Sequence, residues 1–477
     1  MVSLQNFSMS PAPGEISVFE ERGRICSLPI TEVDIGQNLP GGVMAKYPEI
    51  NIVRELFHTP SSNLLHRDSG RNLMMPVQES LLKHITRTFF EEGLSSALEE
   101  ATMSSNSLVK IGAKYCLYLV NAGNNMRYFL RPHLRDRTLA SVGKFSETKN
   151  WPRSPIRCIR WHPHCFKLAV AASDDSIRVF TDEPSIVPVL KTGLQKGVTS
   201  MAWRPFTAGV LAVGCQNGVL LWSLEPNSHI TRPLSQATHL KSPNHTPVTS
   251  VDWSPNGCNL ITASINDSNI VVWDVDMNRS VQLKRIGAPC TQIKWSPDGC
   301  RLFSATMGSL FRVWDTGKWT SEQWTVGVGT IQSQAWSPCG TQLVFIITEV
   351  PCLYAIHFVE EQVFNNTSLP KQALPVADLT RTNVDGVDVG GRPQQVAWCP
   401  YGEHLAVSFS DTSVIAIFST SIAKHNFNIS PSCFLNGLPG EYPTYICFQP
   451  RSRRVERVKT VLTIGWSSGR IQYFPFL

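Results

Sequence analysis

The sequence predicts an all-β chain, a seven-bladed β-propeller with an N-terminal α-helical insertion. Three observations carry this reading. A segment ending in aromatic-x-Pro recurs seven times, each copy is followed by further apolar runs of strand length, and tight-turn residues separate the runs. The copies are IRCIRWHP, VTSMAWRP, VTSVDWSP, CTQIKWSP, IQSQAWSP, PQQVAWCP and the weaker TYICFQP. Their aromatic positions are Trp161, Trp203, Trp253, Trp295, Trp336, Trp398 and Phe448, spaced 41 to 62 residues apart.

Each copy has a second half. A short apolar run (KLAVAAS, VLAVGC, NLITAS, RLFSAT, HLAVSF) precedes a β-branched run that ends in another aromatic, as at Phe180, Trp222, Trp273, Trp314, Phe418 and Phe474. Alternating apolar residues over five to eight positions make half-buried strands. Pro255-Asn-Gly257 and Pro297-Asp-Gly299 make tight turns between them, Pro presetting φ and Gly taking φ > 0. Such a sheet cannot bury both faces alone. Seven of them arranged radially bury one another, which assigns residues 132–477 to the propeller.

The last copy ends at Pro475-Phe-Leu with three strands, leaving an open edge that upstream sequence is expected to cover. Glu15 to Glu21 and Thr138 to Gly143 are the two candidates, the second favoured slightly for its proximity to the first repeat. Residues 1–75 read as an extended segment with a strand to add. Residues 76–131 read as a helical insertion, with Val77, Leu81, Leu82, Ile85 and Phe89 at helical spacing and a second apolar run from Leu108 to Val120. Packing against the propeller flank is the expected role of that stripe, partner binding the alternative. Residues 357 to 392 read as a long polar surface loop.

Composition bounds the function. Lys and Arg number 43 against 37 Asp and Glu, a charge of +6 that is too mild for a dedicated nucleic-acid binder. Charged residues make up 17 %, below the ~25 % of ordinary soluble domains. The N-terminus lacks the basic and apolar regions of a secretory signal, and no apolar stretch has the length of a membrane span. Thirteen scattered cysteines without a C-x-x-C pair fit a reducing compartment. The one dense group of metal-type ligands, His162-Pro-His164-Cys165, falls in a turn after a strand and reads as an ordinary turn. Gly327-Val-Gly329 lacks the context of a nucleotide site, and no G-x-S-x-G or H-E-x-x-H occurs. No catalytic, cofactor or metal site is expected.

Two basic stretches stand out. Residues 127 to 160 hold nine Lys or Arg against Asp136 and Glu147, a surplus of +7 that accounts for the whole +6 net charge of the chain. A solvated connector is the plain reading; a contact to an acidic partner, RNA or an anionic membrane surface is the sharper one. The second stretch, Arg451 to Arg457, reads as a charged loop tip.

Trp273-Asp274 and Trp314-Asp315 make the repeats resemble those of WD40 proteins. The third repeat matches that family's internal hydrogen-bond set best, with His245 before its first strand, Thr262 or Ser264 on the second, Asp267 in the turn and Trp273 closing the set. Trp314 holds the closing place in the fourth. Asp174 fits the turn position of the first repeat, while Gln216 and Gly308 replace it elsewhere. WD40 substrate receptors of one ubiquitin-ligase class end a repeat in W-D-x-R; Asp276 and Gly317 stand where that arginine would be.

A closer resemblance is to the aladin family of WD40 nucleoporins. It is carried by PGEISVFE, by WHPHCFKLAVAASDDSIRVF (Trp161 to Phe180), by TRPLSQATHLKSPNHTPVTSVDWSPNG (Thr231 to Gly257) and by IGWSSGRIQYFP, and covers most of 151 to 477. The basic insertion at 451 to 459 and the absence of a polar tail depart from the family pattern. The resemblance implies a non-enzymatic scaffold of the nuclear pore complex, held at the nuclear envelope by a transmembrane nucleoporin. It further implies a part in nucleocytoplasmic transport of protein and mRNA and, in dividing cells, at the spindle. A monomeric subunit of a large assembly, without direct nucleic-acid binding, is expected. Docking would use the propeller rim with the N-terminal segment, the candidate contacts being Glu15, Ile16, Val18 and Phe19 and, in the basic stretch, Arg131, Arg135 and Arg137. A generic cytosolic WD40 adaptor, such as a ligase receptor, is the alternative.

Overall fold

A computed structural model describes residues 1–7, 14–21, 23–29, 47–52, 85–86, 97–98, 101–102, 107–130, 145–146, 149, 154–182, 187–224, 237–358, 372–422, 427–450 and 458–477. Seven antiparallel sheets follow one another in the order that the repeats predict. Blades one to four span Ile156–Leu190, Ser200–Leu240, Val248–Leu283 and Cys290–Thr325, and blades five to seven span Ile331–Asp378, Pro393–Leu435 and Pro443–Phe476.

The core is divided rather than single. Seven apolar clusters occur, one at each junction between neighbouring blades. Between blades one and two, for example, Ala169, Ala171 and Val179 meet Met201, Leu211 and Val213. The repeat aromatics also work across junctions: Trp203 Nε1 donates to Arg160 O at 3.1 Å and Trp336 Nε1 to Lys294 O at 3.3 Å, each in the preceding blade. The first turns stack in the same sense. Gly257, at φ +73°, lies so close to the preceding turn that a Cβ would stand 2.8 Å from Pro205 O. Gly340, at φ +72°, would place one 2.5 Å from the Asp298 carboxyl. Only glycine meets both demands there.

Blade seven obtains its outer edge from two upstream pieces. Glu15–Glu21 runs parallel to the last strand, Glu20 opposite Phe476, and Ile50–Asn51 pairs antiparallel with Arg470 and Ile471. The first of the two candidates named above thus lies at this edge; Thr138 to Gly143 falls outside the described residues. Arg24–Pro29 adds a further antiparallel strand on Glu15–Glu21. Residues before these serve another junction. Val2–Ser3 pairs with Ala377–Asp378 of blade five, while Leu4 and Phe7 enter the cluster between blades five and six, Phe7 stacking on Phe434 at 4.5 Å.

Two expectations change in detail. The stretch 357 to 392 is not simply a loop: Ala373–Asp378 is the fourth strand of blade five, and Thr382–Val384 with Val387–Val389 forms a small hairpin beside Leu4. Pro375 and the mixed polarity of these residues hid the strand, which is exposed along much of one face. In the helical insertion, Ser107–Leu130 forms one continuous helix, α1, extending well past Val120. No helix among the described residues is long and apolar enough to cross a membrane.

Two predictions follow from these junctions. Phe7 is 5 % exposed, so Phe7→Ala is expected to lower unfolding free energy by about 3 kcal/mol, read as a shifted denaturant midpoint. His404 in blade six stacks on Phe476 at 4.4 Å, and burial lowers its pKa below the ordinary value. Such a histidine stabilises the fold fully above its unfolded pKa of about 6.5 and loses that contribution as pH falls toward the lower folded value. Unfolding temperature should therefore fall on acidification from pH 7.5 to 5.5, and His404→Gln should flatten the profile in that window.

Candidate functional site

Blade three holds a complete buried polar chain. Trp273 Nε1 donates to Thr262 Oγ1 at 3.0 Å, Thr262 Oγ1 lies 2.9 Å from His245 Nε2, and His245 Nδ1 lies 3.1 Å from Asp267 Oδ2. Since a carboxylate only accepts, the proton sits on Nδ1, Nε2 accepts from the threonine hydroxyl, and every member is satisfied. Ser264, the other candidate for the middle place, donates instead to Pro247 O at 2.8 Å. This chain fixes the turn to the blade; it presents no group for chemistry.

The other blades solve the same problem, a buried tryptophan N–H, with different acceptors. Trp314 donates to Ser304 Oγ at 3.0 Å, Trp222 to Gln195 Oε1 at 2.9 Å and Trp466 to Gln472 Oε1 at 3.0 Å. In blade one Asp174 closes a local turn on Ser176, whereas Asp175 binds Arg157 at 2.6 Å and accepts from Val198 N of the next blade. Blade seven adds a buried ion pair that the sequence did not advertise. Both oxygens of Glu441 receive Arg470, at 3.2 and 2.6 Å, and the guanidinium lies 5.6 Å from the Trp466 ring centroid.

His162 is held between its own turn and the corresponding turn of blade two. Its Nδ1 accepts from the backbone N–H of His164 and Cys165, and Nε2 donates to Thr207 O at 2.7 Å. Both nitrogens are thus engaged, and burial lowers the ring pKa. Among the described residues no group of three or more His, Cys, Asp or Glu is arranged to hold a metal ion.

The expected docking strand is partly committed to the fold. Ile16 is 3 % exposed, Glu15 Oε2 accepts from Ser27 Oγ at 2.5 Å, and Ser17 exchanges hydrogen bonds with Asn436 at the end of blade six. Ile16 is therefore core, because the open edge of blade seven needed an apolar cover. Val18 and Phe19 stay half-buried and border the Arg24–Pro29 strand, which is half-buried apart from its two exposed ends. Arg131, Arg135 and Arg137 lie outside the described residues. Of the same basic stretch, Arg157 is paired with Asp175, and Lys149 and Arg160 turn into the axial channel.

Removing the shared hydroxyl of blade three tests the chain. Thr262→Val leaves His245 Nε2 and Trp273 Nε1 each without a partner and is expected to cost about 1–3 kcal/mol. Severing the blade-seven pair by Arg470→Met, which strands a carboxylate that is 5 % exposed, should cost about 3–5 kcal/mol. Both are read from chemical denaturation.

Comparison with known proteins agrees with this geometry. The chain is 28 % identical over 353 residues to Aladin of Arabidopsis thaliana, covering 68 % of this chain and 76 % of that protein. A shorter match, 31 % over 98 residues, relates it to an uncharacterized WD repeat-containing protein of Schizosaccharomyces pombe, over 19 % of this chain and 22 % of the relative. Among solved structures, the β-propeller domain of Myceliophteria thermophila Cps50 (Swd1) superposes with a TM-score of 0.50 at 17 % identity, covering 68 % of this chain and 98 % of that one; this likeness concerns the fold alone. Residues 137–477 match the Aladin seven-bladed propeller family, and the chain belongs to that family.

Proposed function

We propose that this chain is a non-enzymatic scaffold of the nuclear pore complex, docked at the nuclear envelope through a transmembrane nucleoporin and supporting nucleocytoplasmic transport. Membership of the aladin propeller family is the observation that carries the reading. The geometry is in keeping with it. The polar side chains described above hold blades together, and no helix among the described residues is long and apolar enough to cross a bilayer; attachment through a membrane-embedded partner is part of the proposal. A role at spindle poles in dividing cells belongs to the same proposal.

Docking is assigned to the rim of blade seven, where Val18 and Phe19 lie on a strand that the N-terminus lays over the propeller. A tagged full-length chain at near-native expression should give a punctate nuclear rim in interphase cells and co-purify with nucleoporins. Val18→Glu should diminish the rim signal while leaving the melting temperature within about 2 °C, since exposed and half-exposed substitutions away from special features are small. Diffuse cytosolic signal from the unaltered chain, with ligase subunits co-purifying instead, would favour the generic adaptor.

A further inference from the structure

The seven first strands surround a channel of about 380 Å³ on the propeller axis. In six of the seven blades the first strand carries a register irregularity beside its third repeat position. From that position most blades tie to the next. Ser250 Oγ bonds Ile293, Gln292 Nε2 donates to Ile331 O and Gln332 O, Ser333 Oγ accepts from Val396 N, and Gln395 exchanges two bonds with Ile446. The belt is broken in one arc, at blades one and two. There Cys158 turns back to Tyr445 Oη at 3.7 Å, and Ser200 Oγ is buried with no partner.

The same arc gathers positive charge. Arg160 donates from Nε to Met201 O at 3.1 Å and holds its guanidinium 5.7 Å from the Tyr445 ring centroid. Lys149, from the segment ahead of blade one, lines the same channel. The other two cations of the lining are neutralised, Arg157 by Asp175 at 2.6 Å and Lys294 by Asp252 at 2.7 Å. Among the described residues neither Lys149 nor Arg160 has a carboxylate within ion-pair distance. Burial, and next the charge of Arg160, hold the Lys149 ammonium down to about 8. Tyr445 Oη accepts from Cys158, which leaves its own proton to donate.

We propose that this arc of the axial channel binds a phosphate-bearing small molecule. Lys149 and Arg160 face the phosphate charge, and Ser200 Oγ and Tyr445 Oη donate to its oxygens. Two cations and two hydroxyl donors suit a group with about two negative charges and three free oxygens, and the channel is at the small end of ligand cavities, which run about 300–1,000 Å³. The proposal stands independently of the pore reading.

The full chain is titrated with inorganic pyrophosphate and with inositol trisphosphate, following melting temperature and calorimetric heat, with sulfate as a control for generic anion effects. Vesicles carrying a phosphoinositide provide a second arm. Saturable stabilisation by a soluble phosphate is expected, weakened at least tenfold in Kd by Lys149→Met and severalfold by Ser200→Ala. Ser200→Ala removes an unpartnered hydroxyl and should fold normally, so loss of binding there cannot be ascribed to unfolding. Co-flotation with the vesicles, lost in the same variants, would assign the phosphate to a lipid headgroup; stabilisation without flotation would assign it to a soluble ester. No saturable response to any of these phosphates, a response matched by sulfate, or an undiminished response in both variants overturns the proposal.

Discussion

A ring of sheets has no independent subunit of stability: each blade buries its two faces only if both neighbours are present. Closure between the last blade and the first is therefore the constraint on which the other six junctions depend. Here that closure is made by residues far apart in sequence. Trp161 Nε1 of blade one donates to Thr463 Oγ1 of blade seven at 2.8 Å. Ile50 and Ile52 fill the apolar cluster shared by the two blades. Tyr47, donating to Gln449 at 2.5 Å and raised to about 12 by burial, seals its rim. In many rings the outer strand of the closing sheet is a single segment. In this chain it is divided between Ile50–Asn51 and Glu15–Glu21, so both pieces must be in place before the edge is covered.

The variety of polar clamps follows from a simpler requirement than motif matching. A tryptophan at the end of a third strand brings a donor into a buried place, and an unmet donor there costs about 1–3 kcal/mol. Any acceptor of suitable reach relieves it: a threonine tied to a histidine in blade three, a serine in blade four, a glutamine in blade two; in blade seven Gln472 does the same for Trp466 at the end of the second strand. The relief is incomplete, since Trp253 and Trp295 in first strands keep Nε1 buried without a partner. Different acceptors thus keep the blade architecture intact without the family's letter pattern in most repeats.

That distinction explains how much was legible in the sequence. The blades, their number and their order rest on apolar periodicity and turn residues, which recur whatever the clamps are, and they could be read directly. His245, Asp267 and Trp273 could be read because blade three keeps the full letter pattern. Gln195 could not: nothing local marks a glutamine as the partner of a tryptophan 27 residues on. Ile50–Asn51 is too short to carry a period, and Ala373–Asp378 has an exposed face and a proline. The direction in which a basic residue points was equally hidden. Arg157 and Arg160 lie in a β-strand three residues apart, hence on opposite faces, yet the inward bulge beside Cys158 brings both to the channel.

The proposed docking strand has a thermodynamic consequence. Glu15–Glu21 covers the edge of blade seven and carries the half-buried Val18 and Phe19, so the surface proposed for a partner is part of the closure itself. A partner that binds the closed ring and not the opened one stabilises it by mass action, by about 2.7 kcal/mol at a hundred times its Kd. The effect is reciprocal: a substitution that loosens the strap, at Ile16 or at Ser17 with its bonds to Asn436, weakens docking without touching the partner. Under the proposed docking, ring closure and attachment are one equilibrium seen from two sides, and damage at a junction remote from that interface reaches it through the ring.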